Sequence, residues 1–127
     1  MTVAAAAIVP LLFSCTGTGS KGSDSGEPEY AGYLFAYFEG RGEPEKQEQL
    51  RFAVSTDAVN WTALNGNRPI IASDTISKSG GIRDPHILRG EDGKSFYMVA
   101  TDMFTVKYGW DENPGIVMLR SEDLIHW

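Results

Sequence analysis

The segment Gly80-Gly81-Ile82-Arg83-Asp84-Pro85-His86 holds the residues whose types and spacing are best suited to chemistry. Asp84 is a carboxylate set directly before a proline at the start of a β-rich run, and a carboxylate so placed can take up a proton or orient one. Pro85 fixes the local backbone and disfavours helix at the residue before it. Gly80 and Gly81 are expected to leave room for a ligand to approach. His86, two residues past Asp84, shares its face on an extended strand. It either touches substrate there or packs as a structural histidine. An ion pair between Arg83 and Asp84 is open, although strand neighbours point to opposite faces. Taken alone, an Asp-Pro dipeptide equally describes a turn cap with no chemistry.

Trp110 lies further along, in Lys107-Tyr-Gly-Trp-Asp-Glu-Asn-Pro114, on an expected long loop. An indole offers a flat face on which a ligand can stack, so Trp110 is a candidate substrate platform, with surface packing as the plain alternative. Asp102 fits the start of that loop's turn. Glu39 and Glu45 fall in a charged stretch and read as solvated.

These residues need a framework, and the texture of the chain from Tyr30 onward supplies short β-rich runs between turn residues. Gly32 to Phe38 is apolar and aromatic enough for a buried strand. Gln49 to Ser55 alternates, with Leu50, Phe52 and Val54 on one face. Pro85 to Arg89 is a short strand, Gly90 to Lys94 a polar hairpin turn containing Asp-Gly, and Ser95 to Thr101 the next strand. Gly115 to Ser121 is the third of this set. No stretch holds a helical period over 11 or more residues. The class is all-β.

The runs come in two rounds. Ser55-Thr-Asp-Ala-Val-Asn-Trp61 and Ser121-Glu-Asp-Leu-Ile-His-Trp127 both fit S-x-D-x-x-x-W, and Tyr33 to Tyr37 matches Tyr97 to Thr101. A period of about 65 residues suggests a repeated four-stranded sheet such as a propeller blade. Ser and Asp can bond nearby backbone N–H groups and fix a turn, and the Trp can pack between adjacent sheets. Asp57 and Asp123 are therefore read as corner residues. In a propeller the first strand of each blade lines the central channel, which would place Asp84 at one end of it.

The N-terminal part has a different character. Residues 1–14 carry no charge and suit the apolar part of a secretory leader. Leu12-Phe13-Ser14-Cys15 resembles a bacterial lipobox, with Cys15 as the lipidated residue; a free thiol after an ordinary leader is the alternative. Residues 15–29 form a Gly/Ser/Thr-rich flexible tether. That arrangement implies a lipid-anchored protein of the bacterial cell envelope, periplasmic or at the cell surface, touching the membrane only through its anchor. The single Cys excludes an internal disulfide and a Cys-based zinc site. A net charge of −6 without a basic cluster argues against nucleic acid as a partner.

The run G-I-R-D-P-H-I-L-R-G-E-D-G-K-S-F-Y-M-V-A-T-D-M, followed by G-I-V-M-L-R-S-E-D-L-I-H-W, resembles the family 43 glycoside hydrolases. The earlier G-Y-L-F-A-Y-F-E-G and Q-L-R-F-A-V-S-T-D segments are similar to their arabinofuranosidase-like members from Bacteroidetes, which are often lipoproteins. The resemblance covers about Tyr33 to Trp127. It implies a five-bladed β-propeller acting on arabinose- or xylose-containing plant-type poly- or oligosaccharides, with inversion at the anomeric carbon. Such enzymes use an Asp base, a second Asp that tunes the acid, and a Glu acid. Asp84 matches either the base or the second Asp, with Arg83, His86 and Trp110 as substrate contacts.

No cofactor or metal is implied by these residues, although some full-length members hold a structural calcium. A five-bladed propeller needs on the order of 300 residues, so residues 30–127 are expected to form only the first one and a half to two blades. No Glu here matches the acid, and the first round lacks a strand before Tyr33. The chain thus reads as an N-terminal fragment, inactive by itself. A non-catalytic glycan-binding surface lipoprotein is the alternative.

Overall fold

The structure, a computed structural model, describes the backbone of residues 7–12 and all of residues 30–127. Cys15 and the expected tether over 15–29 lie outside the described residues, as does most of the expected leader. Its described part, Ala7–Leu12, forms β1, followed by β2 (Tyr30–Tyr37), β3 (Arg51–Ser55) and β4 (Thr62–Ala63). Then come β5 (Ile82–Arg89), β6 (Phe96–Asp102) and β7 (Gly115–Ser121), with one short helix, α1 (Thr105–Tyr108), between the last two strands. The described residues are thus all-β, as expected. They form two antiparallel sheets, ordered β1-β2-β3-β4 and β5-β6-β7.

The first sheet has a strand that the sequence reading did not assign there. β1 lies against β2 with Val9 opposite Leu34 and Ala7 opposite Ala36. An unpaired β2 edge would leave a row of N–H and C=O groups without partners, and an apolar run nearby satisfies them. β1 thus occupies the place before β2 that was expected to be vacant.

The sheets pack face to face. Leu34, Ala36 and Phe52 of the first meet Ile87, Met98, Ala100 and Val117 of the second in one buried cluster. Alternation explains the choice of residues, since Leu34 pairs with Val54 and Ala36 with Phe52 on one face of the first sheet. The outer face of the second sheet is also apolar, with Leu88, Tyr97, Val99, Ile116 and Met118 exposed. That breaks the usual rule of a polar solvent face.

Both S-x-D-x-x-x-W segments close in the same way. Asp57 Oδ1 accepts the N–H groups of Val59 and Asn60 at 2.9 and 2.7 Å, and the Ser55 hydroxyl at 2.9 Å. Asp123 Oδ1 accepts those of Ile125 and His126 at 2.9 and 2.8 Å, and the Ser121 hydroxyl at 3.1 Å. Each turn needs one left-handed residue, Ala58 at φ 60° and Leu124 at φ 63°. In each, the Trp indole N–H donates back into the turn at 3.2 Å, from Trp61 to Ala58 and from Trp127 to Leu124. Trp127 also sets its ring edge-on to Phe52 of the other sheet, centroids 6.1 Å apart. These bonds hold both carboxylates well below the ordinary aspartate range, those from Asn60 acting most on Asp57 and those from His126 on Asp123.

Candidate active site

The strand ends divide the molecule into two poles. Ser55 and Ser121 close β3 and β7 at one pole, whereas Ile82, Asp102 and Gly115 meet at the other, in register across β5, β6 and β7. Asp84 belongs to the second pole. The corner aspartates therefore stand at the opposite end from the Asp84 segment.

At that pole β5 is irregular. Arg83 pairs with Thr101, but the next pair is His86 with Val99, so Asp84 and Pro85 together face one residue of β6. This is a bulge, and it suits a proline, which has no N–H to give to a ladder. Asp84 takes a left-handed conformation at φ 49°, uncommon for any residue other than glycine. The result turns Pro85 into the core while Asp84 and His86 are both exposed. Neither side chain has a hydrogen-bond partner among the described residues. Asp84 is thus a carboxylate without a partner among the described residues, on a left-handed backbone at the head of a strand.

Arg83 goes elsewhere. Its guanidinium meets Glu48 Oε1 at 2.6 Å rather than Asp84, and it lies between two rings, 4.8 Å from Phe38 and 4.6 Å from Trp110. Two candidates from the sequence, Arg83 and Trp110, are therefore in direct contact, and Asp84 adjoins them along the chain. His86 stands apart, on the open face opposite Val99.

Glu48 is the residue that sequence reasoning passed over. It is 1% exposed, it sits at φ 54°, and its carboxylate gathers three donors. Besides Arg83, it accepts the Thr105 N–H at 2.6 Å and the Thr105 hydroxyl. Its backbone is held as well: its N–H reaches Glu39 O at 2.8 Å, and its carbonyl takes the Ile82 N–H at 2.6 Å. A buried carboxylate with a bound guanidinium and two further donors meets the condition for stable burial of charge. The one available signal was Arg83 itself, a cation facing an apolar interior and so in need of a counter-charge.

The two glycines before Asp84 behave differently from one another. A Cβ on Gly81 would lie 2.4 Å from Met103 O and 2.7 Å from Phe104 Cβ. The room expected there for a ligand is filled by this chain. Gly80, at φ 86°, lines an open groove of about 690 Å³ with Pro44, Gln49, Asp74, Phe104 and Lys107. Asp102 is buried beside these glycines. Burial opposes its charge, but bonds from Ser79 at 2.9 Å and Lys78 at 2.8 Å outweigh it and keep its pKa low. It ends β6, and its carboxylate clamps the segment leading into β5. Among the described residues no group of three His, Cys, Asp or Glu side chains is placed to hold a metal ion.

Comparison with known proteins bears on the family of the whole folded part. The chain is 24% identical over 101 residues to an alpha-L-arabinofuranosidase of Bifidobacterium longum subsp. longum, covering 76% of this chain and 9% of that enzyme. It therefore spans under a tenth of the relative it matches. No solved structure matches. The family profile described as "Probable glycosyl hydrolase domain", related to glycosyl hydrolase family 43, matches residues 28–127, which take in β2 to β7. The chain belongs to the family-43-related glycosyl hydrolases.

Proposed function

We propose that this chain carries the Asp84 side of an inverting, exo-acting glycosidase site for arabinose- or xylose-containing glycans, set at one pole of a β-propeller. The observation that carries the reading is Asp84 itself: exposed, without a partner among the described residues, and held at φ 49° on a bulge next in the chain to Arg83, on which Trp110 stacks. A general base has to reach a water molecule and hold its lone pairs free for the proton. An inverting site sets its second carboxyl group about 6.5–9.5 Å away, across the bond to be cut. That acid would come from elsewhere in a longer protein, and the 127-residue chain alone is expected to turn over no glycoside.

The packing supports the propeller reading. Each sheet presents a second apolar or aromatic face, Leu88 to Met118 on one and the stacked Phe35, Tyr37 and Trp61 on the other. A unit with two such faces suits a ring of repeated sheets. Cys15 is proposed as the lipid anchor of a cell-envelope protein, and plant-type polysaccharide as the partner. Labelling with a radioactive fatty acid, lost in Cys15→Ser, would test the anchor.

The decisive experiment is turnover of aryl arabinofuranoside and aryl xyloside by the full-length product of the reading frame, beside Asp84→Asn. Loss of a base lowers turnover by about 10²- to 10⁴-fold. Unchanged turnover in the variant excludes Asp84 from the reaction. Oligosaccharide binding without turnover by the wild type would favour a glycan-binding module.

A further inference from the structure

Trp110 is 69% exposed, yet its ring is anchored on one side by Arg83 at 4.6 Å. An aromatic ring on a loop with no anchor would sample many orientations, and ordering it would cost binding free energy. Here the anchor is itself fixed. Arg83 is held by Glu48 at 2.6 Å and by the Phe38 ring on its other side. The same Glu48 holds Thr105, the first residue of α1, by N–H and hydroxyl together. Two side-chain-mediated contacts of the β6–β7 loop, from the Thr105 N–H and hydroxyl, therefore end on one buried carboxylate, 57 residues away in sequence.

We propose that Glu48 is a positioning residue: through Arg83 and Thr105 it holds the β6–β7 loop so that Trp110 presents a fixed, open ring face beside Asp84, as a platform for a sugar ring. The platform rests on the glycosidase reading above, whereas the tethering of Trp110 to Glu48 does not. Glu48, just before β3 of the first sheet, also holds β5, because its carbonyl binds the Ile82 N–H at the head of that strand. Asp84 and Trp110 are thus referred to a common fixed point outside their own sheet.

The test uses the 127-residue chain labelled with 5-fluorotryptophan, whose three Trp residues give three fluorine resonances assigned by single Trp→Phe variants. In Glu48→Gln the Trp110 signal is expected to sharpen and move toward the position of the free amino acid, while those of Trp61 and Trp127 stay in place. A second variant, Glu48→Gln with Arg83→Met, removes both charges and is expected to release Trp110 in the same way. An unmoved Trp110 signal in Glu48→Gln overturns the tether whatever the double variant does, since Arg83, the ring's direct partner, would then hold Trp110 without Glu48. Loss of dispersion at all three Trp residues in both variants overturns it too, since Glu48 would then hold the sheets together rather than the loop. Arabinotriose and xylotriose are titrated into the wild type as the second arm. A saturable shift confined to Trp110, weakened in Glu48→Gln, supports the platform. No shift with either sugar overturns the platform and leaves the tether to the first arm.

Discussion

Glu48 and Arg83 meet at 2.6 Å across the boundary between the two sheets, and both are largely withdrawn from water. The pair joins the segment before β3 to the head of β5. Removing one partner leaves a buried charge with nothing to balance it, whereas removing both does not. Glu48→Ala is expected to destabilise the chain by about 3–5 kcal/mol, and Glu48→Gln with Arg83→Met by clearly less. Urea unfolding of the two variants beside the wild type measures this. Equal losses in both would mean that the charges contribute nothing beyond packing.

Gly81 offers a sharper steric test. Its missing Cβ would stand 2.4 Å from the Met103 carbonyl oxygen, a backbone atom that cannot rotate away. Gly81→Ala is expected to cost about 1–3 kcal/mol through overpacking. Gly40→Ala, where nothing lies within 4 Å, should stay within about 0.5 kcal/mol of the wild type. Thermal or urea midpoints that rank the two the other way would contradict the close approach of β5 to the β6–β7 loop.

The two glycines also show which parts of this molecule are legible in its sequence. β7, Gly115–Ser121, falls where the apolar run and the Asp turn after it place it, because a β-rich run bounded by turn residues marks its own ends. The hairpin over Gly90 to Lys94 is equally local: Gly90 and Gly93 close it with a bond of 2.9 Å. The bulge at Asp84 is not legible, since proline excludes helix before it without choosing between extended and left-handed backbone. Glu48 was hidden for a different reason. Its partners stand 35 and 57 residues away, and nothing within a polar Gln-Glu-Gln stretch marks the middle residue as buried. The candidate segment at Asp84 was therefore readable because it is local, whereas Glu48 was unreadable because two sheets have to meet to bury it.

Asp92 gives a pH dependence whose sign can be worked out. The N–H groups of Ser95 and Lys94 and the Ser95 hydroxyl hold its carboxyl down to about 2, below its ordinary value of 3.8. The folded chain therefore binds the proton less readily than the unfolded chain. Its contribution is complete above the ordinary value and is lost as pH falls toward 2. The stability gap between the wild type and Asp92→Asn should accordingly be wider near pH 6 than near pH 2, as read by urea unfolding at each pH. A gap that is constant or grows in acid would mean the hairpin bonds do not select the ionised form. Asp57 and Asp123, held down by their own turns, act in the same direction.

Asp84 separates the demands of the fold from those of chemistry. At φ 49° an alanine meets the left-handed penalty in full, about 1–2 kcal/mol, while glycine escapes it and asparagine tolerates the region better than most residues. Asp84→Ala should therefore be less stable than Asp84→Gly by about 1 kcal/mol, with Asp84→Asn close to the wild type. If the carboxylate serves as proposed, all three lose turnover in the full-length protein alike, whatever their stability. The asparagine variant then isolates the chemistry, because it keeps the size and backbone preference of aspartate and removes its charge. Turnover that tracked stability across the three would instead make Asp84 a turn residue, and the bulge a device for seating Pro85 in the core.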